Sequence, residues 1–417
     1  MAVSERALEL LVGAALPTGA QFGRENFAGD PLVQRFCEWA KEMLKVEVNI
    51  FVSWSCPPDV SILTSSGVNI LIRSERFDTL LVEYLHLKDA ASPRNPLTDL
   101  VLPPATLRWM AEFLLGYRWP QAALYTAIRA HELRIDPRPP NPFRDEALAS
   151  VDEVQRVALQ CFCLGHELGH LLPSQYDAPS LDTKVDGLSL SRHISRDIEE
   201  GGAAPVAEQM MAQARSSIDA LNLLREIDAD LIALELVAVF VANTLGVPAK
   251  EALQVALTAY EAQSFLYATK HTCALLRRYA GRDDRAEFTR EDWIAGLQVS
   301  VRARCVLRRA GFLLSRWRAG DEKQTAATID AMFLESIEFR NDLATVAQGE
   351  TEHLLNTLPA LNAQEGRPFF DSLIETARSD SEVRLDLFYM LIAMGFPGGT
   401  DPIGWLEHLF EMQQAGS

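Results

Sequence analysis

His166-Glu167-Leu168-Gly169-His170 sets two imidazoles four residues apart, with a carboxylate directly after the first. On a helix, residues four apart stand one above the other, so His166 and His170 can aim at one metal ion. Glu167 is turned by one residue. Its carboxylate then lies beside the ion instead of on it, placed to take a proton from an activated water. A hydrolytic zinc site needs a third protein ligand and an open fourth position. Glu226-Ile227-Asp228-Ala229-Asp230 offers one: Glu226 and Asp230 share a helix face, and Asp228 points nearly the opposite way. Ile227 and Leu231 bring that face close to a core, where a carboxylate is costly unless it is paired or bound to metal. Glu226 is the expected third zinc ligand. Asp230 is the expected acceptor for the other N–H of a ligating histidine, His166, fixing its tautomer.

Helices must carry both groups. Ser150 and Glu153 read as a capping box at the start of the first, and Pro173 stops it at Leu172. The second is expected over Ser216–Leu245, with Leu223, Leu224, Ile227, Leu231, Leu234, Ala238 and Val241 recurring at three and four. Gly246 and Pro248 end it. Between them, 174–204 is rich in Ser, Asp, Gly and Pro and reads as a long loop. Pro31–Lys45 has helical period, and Ala7–Leu16 reads as an amphipathic helix. Val46–Val52 and Val68–Arg73 alternate as strands do, with a short apolar piece at Val60–Leu63. The proline-rich segment Asp136–Pro142 is the best boundary. It suggests an N-terminal α+β part over 1–142, a helical metal-site part over 143–280 and a helical extension over 281–417.

Across 151–235 the chain resembles the gluzincin metallopeptidases, in which two histidines and a later glutamate bind zinc and the glutamate of the first motif is the general base. The resemblance implies zinc on His166, His170 and Glu226, with Glu167 as base and Asp230 behind the ligands. Fifty-six positions separate His170 from Glu226, a spacing similar to gluzincins that insert a loop or helices there, such as the minigluzincins. The first motif also resembles that of the soluble ImmA/IrrE-type peptidases. The fold so implied is α+β and predominantly helical: a zincin-like core with a small N-terminal sheet and a helical C-terminal extension. The expected function is zinc-dependent endopeptidase action on a specific protein or peptide target, with regulation, stress or phage defence as context. Such enzymes commonly hold substrate along a sheet edge, a role open to Val68–Arg73 or Val46–Val52, with a purely structural sheet as the equal alternative. Tyr260, Tyr267, His193 and His271 lie on segments that reach toward the site; none is singled out as the oxyanion donor.

The 417 residues carry 39 Lys+Arg against 57 Asp+Glu, a net charge of -18, which argues against broad nucleic-acid binding. Hydrophobic residues at 48% and charged ones at 23% are globular values. Six scattered cysteines fit reduced thiols in a cytoplasmic protein. Leu231–Val247, the most apolar run, carries Glu235 and reads as a buried helix, so no membrane span is expected. Arg277–Arg318 holds eleven arginines against five acidic residues. A solvated helix face paired with acidic neighbours is the preferred reading. The alternative function is a binding or signalling module with a vestigial zincin site and this stretch as its docking surface. The sequence leaves the oligomeric state open.

Overall fold

The computed structural model describes residues 4–16, 21–25, 30–54, 59–65, 67–90, 98–133, 152–172, 219–279, 285–317, 347–357, 366–393 and 401–416. Four strands form one sheet: β1 Phe22–Arg24, β2 Asn49–Ser53, β3 Val60–Ser65 and β4 Val68–Ser74, in the order β1-β2-β4-β3. β2 and β4 run parallel, while β1 on β2 and β3 on β4 are antiparallel. Gly67, between β3 and β4, has φ 77°, a conformation that suits glycine in a tight turn. Alternation divides the strands between two cores. Ile50, Val60 and Leu71 join the main core, whereas Phe51, Ile70 and Ile72 meet Leu8 and Val12 on the other side. Those last two residues come from α1 (Glu5–Ala15), the predicted amphipathic helix.

The segments expected to offer a sheet edge, Val46–Val52 and Val68–Arg73, correspond to β2 and β4, and both are interior strands. The edges are β1 and β3. β1 was not foreseen, because three residues (Phe22-Gly23-Arg24) are too few to show a period.

The rest is mostly helical, in agreement with a predominantly helical α+β class. α2 (Pro31–Leu44) begins with Pro31 behind Asp30, whose Oδ1 accepts the Val33 N–H at 3.3 Å. After the sheet come α3 (Glu75–Ala90), α4 (Thr98–Gly116) and α5 (Pro120–Glu132). α6 (Glu153–Gly169) and α7 (Asp219–Thr244) carry the two candidate motifs, and α8 (Ala249–Tyr279) and α9 (Arg285–Arg316) follow. Further helices occupy Gly366–Ser379, Ser381–Ala393 and Pro402–Gly416. No helix among the described residues is long and apolar enough to cross a membrane.

α6 is capped by Asp152, whose carboxylate accepts the Val154 N–H at 3.1 Å. The expected cap, Ser150, lies outside the described residues, as do Pro173, 174–204 and both proposed domain boundaries. The helix ends at Gly169, three residues before the predicted stop. His170 follows as its C-cap, still helical in φ and ψ, with tight turns at Leu171 and Leu172. α7 starts and ends close to expectation, and Gly246 beyond it has φ 69°. None of the five described cysteines is in a disulfide, and Cys161 and Cys163 lie in the main core as packing residues.

Candidate metal centre

α6 and α7 pack face to face because both are small where they touch. Gly165 and Gly169 of α6 lie four apart against Ala233 and Ala229 of α7, also four apart. A methyl group on Gly169 would sit 2.9 Å from the Ala229 Cα, and one on Gly165 3.3 Å from the Ala233 Cα. Glycine at 169 is therefore required by close approach of two backbones. That approach lets short imidazole and carboxylate side chains from the two helices meet. Gly169→Ala should force the helices apart at a cost of about 1–3 kcal/mol, as overpacking does, and weaken metal retention with it. Gly296→Ala is the control, since its methyl would meet nothing among the described residues and should add about 0.5–1 kcal/mol of helix stability. Thermal unfolding and metal titration of the two variants check the contrast.

The structure brings together all five residues predicted from the sequence. The Nε2 atoms of His166 and His170 are 3.2 Å apart, and each lies 3.4 Å from a different oxygen of Glu226. All three ligand atoms fall within 4.8 Å of one another. Zinc bonds of about 2.0–2.1 Å in tetrahedral geometry put neighbouring ligand atoms about 3.4 Å apart. The N···N separation and the nearest N···O separations are close to that length, with the Glu226 carboxylate straddling the two nitrogens, one oxygen toward each. On the far side of the ring, His166 Nδ1 faces Asp230 Oδ1 at 2.9 Å, leaving Nε2 for the ion.

Arg302 of α9 was not foreseen. Its Nε and Nη2 donate to the two oxygens of Asp230 at 2.7 and 2.9 Å, and its Nη1 lies 3.2 Å from Glu226. One guanidinium thus spans the Glu226 and Asp230 carboxylates of α7 and fixes their orientation. Arg309 pairs with Glu235, and Arg278 with Glu291 at 2.7 Å. These three arginines of the basic stretch are matched to acidic neighbours, but Arg302 is turned inward and is not part of the solvated helix face that was expected.

Burial and charge act against each other here. Burial alone would lower the His166 pKa. Contacts with Asp230 and Glu226 outweigh it and raise the pKa to about 10. Burial and the facing His166 push His170 down to about 4. Burial pushes Glu167 up to about 7, against the pull of His166. Asp230 is buried but held below the usual carboxylate range, chiefly by Arg302.

Glu167 is not among the metal-facing atoms. It lies at 6% exposure on the wall of a cleft of about 550 Å³ that also contains the three ligands. The cleft runs between β3 on one side and α8 and α9 on the other, with Ile62, Tyr267, Lys270, Gln298 and Arg302 on its walls. Of the four oxyanion candidates, Tyr267 and His271 line the cleft. Tyr260 packs against Phe162 in the core, and His193 is outside the described residues. The Tyr267 hydroxyl lies 3.4 Å from Glu167 Oε1. No protein-family model matches the chain, and neither curated proteins nor solved structures give a match.

Proposed function

We propose that the chain is a zinc-dependent peptidase of gluzincin type, with a zincin-like core, acting in the cytoplasm by limited proteolysis of a specific protein or peptide target. The observation that carries this reading is the convergence of His166, His170 and Glu226, whose ligand atoms all lie within 4.8 Å of one another, with the carboxylate of Glu167 buried beside them and outside the ligand set. The donor set suits zinc: two imidazoles and one carboxylate facing a cleft, with the excess proton that Asp230 and Glu226 hold on His166 to be given up when an ion binds. Zinc, when bound there, supplies Lewis acidity toward a scissile carbonyl and toward water.

The chain's own residues supply the rest. Glu167 takes the proton of the attacking water and delivers it to the departing amine. Its pKa, raised by burial, suits it to both transfers near neutral pH. Asp230 holds the His166 ring with Nε2 forward, and Arg302 holds Asp230. β3, a sheet edge on the cleft wall, gives an extended peptide a row of backbone partners. The binding-module alternative is not favoured: a vestigial or structural site has no use for a buried carboxylate beside its ligands.

The test is direct. Zinc-loaded protein is incubated with the proteome of its own cells, and new N-termini are counted against a chelator-treated control. Discrete, zinc-dependent N-termini are the expected outcome. A fully zinc-loaded sample that releases none removes the peptidase reading.

A further inference from the structure

β3 does not meet the cleft as a bare edge. Asp59 C=O accepts the Ser74 N–H at 2.8 Å, and Val60 stands opposite Arg73. In an antiparallel pair successive residues turn their backbone groups alternately toward and away from the partner strand. Asp59 and Ser61 therefore face β4, and Val60 and Ile62 face outward. Both outward groups of Val60 are engaged. Its N–H donates to the Asp59 carboxylate at 2.9 Å, and its C=O accepts the Tyr267 hydroxyl at 3.3 Å. Lys270, one turn along α8 from Tyr267, lies 2.5 Å from that same Asp59 carboxylate and 5.5 Å from the Tyr267 ring centre. The Tyr117 hydroxyl donates to the Lys270 carbonyl at 3.4 Å.

We propose that Asp59, Lys270 and Tyr267 form a latch over the Val60 rung of β3, and that an extended substrate opens it. The proposal rests on the peptidase reading of the cleft. The backbone N–H of the arriving peptide replaces the Tyr267 hydroxyl on Val60 C=O. The displaced hydroxyl, which already reaches Glu167, turns fully into the cleft. Docking along the edge is thereby linked to completion of the site. Selectivity follows from the same exchange: the peptide must present an N–H at this rung, so proline or an N-methylated residue there leaves the latch closed. Lys270 is a positioning residue, acting through Asp59 and the Tyr267 ring.

The experiment uses the full-length, zinc-loaded protein and two probes, acetohydroxamate and N-acetyl-trialanine hydroxamate, with binding followed by calorimetry. Lys270→Gln loosens the latch and should tighten the peptidyl probe, by up to about tenfold, the full worth of the Tyr267–Val60 hydrogen bond that the peptide displaces. Acetohydroxamate should bind wild type and variant equally. Lys270→Arg, which retains the ion pair, should behave as wild type, and the probe with its backbone nitrogens methylated should gain nothing. Hydrogen exchange at the Val60 amide should quicken in Lys270→Gln alone. If acetohydroxamate binds but Lys270→Gln leaves the peptidyl probe unchanged or weaker, the latch is overturned and the metal site stands. If acetohydroxamate fails to bind zinc-loaded wild type, the metal-site reading falls and the latch with it.

Discussion

Glu167→Gln is expected to keep its zinc and lose cleavage by about two to four powers of ten, the usual loss when a general base is removed. Two features separate this residue from its neighbours. It is buried beside the ligand atoms without being one of them, so replacing it leaves the donor set intact. Its carboxylate is held near Tyr267, and an amide of the same shape preserves that contact. What the amide cannot do is accept a proton. The variant should therefore fold as wild type does, retain zinc, and fail in turnover. Labelling of new N-termini in cells expressing either form at equal level supplies the comparison, and the target need not be identified first. Identical fragments and an identical phenotype would mean that hydrolysis is not what this site does. The binding-module reading would then take its place.

The site was legible wherever chemistry and helical spacing coincide. Histidines at 166 and 170, and carboxylates at 226 and 230, each lie four apart, and a helix turns such pairs to one side whatever surrounds it. The helix pairing was also written in the sequence, though less visibly. Gly165 and Gly169 match Ala229 and Ala233 at the same spacing, a correspondence that means little until the helices are known to touch. Arg302 was out of reach for a different reason. It lies seventy-two positions from Asp230, within a run of arginines where no local pattern distinguishes the one that turns inward. The sheet edge failed on topology. Alternation marks β2 and β4 as strands, but a parallel β2–β4 pair with β3 on the outside follows from tertiary packing, and alternation is blind to strand order.

Removing metal ligands should give a graded series that tests the site's architecture as well as its existence. His166→Ala with His170→Ala deletes both imidazoles and should abolish zinc retention after dialysis against a chelator, from about one ion per chain in the wild type. Glu226→Gln should also weaken retention strongly, because the only anionic ligand is gone while Arg302 remains with its guanidinium 3.2 Å away. The charge left beside the ion is then repulsive. Asp230→Asn acts at one remove: the ligands stay, but the partner of His166 Nδ1 and the seat of Arg302 are both altered. Loss of such an outer partner typically lowers affinity about 10–100-fold, a smaller effect than deleting the imidazoles. The expected order of retention is wild type, then Asp230→Asn, then Glu226→Gln, with the double histidine variant last. Competitive titration with a chromophoric zinc chelator reads the order. Wild-type stoichiometry in the double histidine variant would move the metal elsewhere. Asp230→Asn binding as tightly as wild type would separate Asp230 and Arg302 from the site's function, and their packing beneath the ligands would be structural.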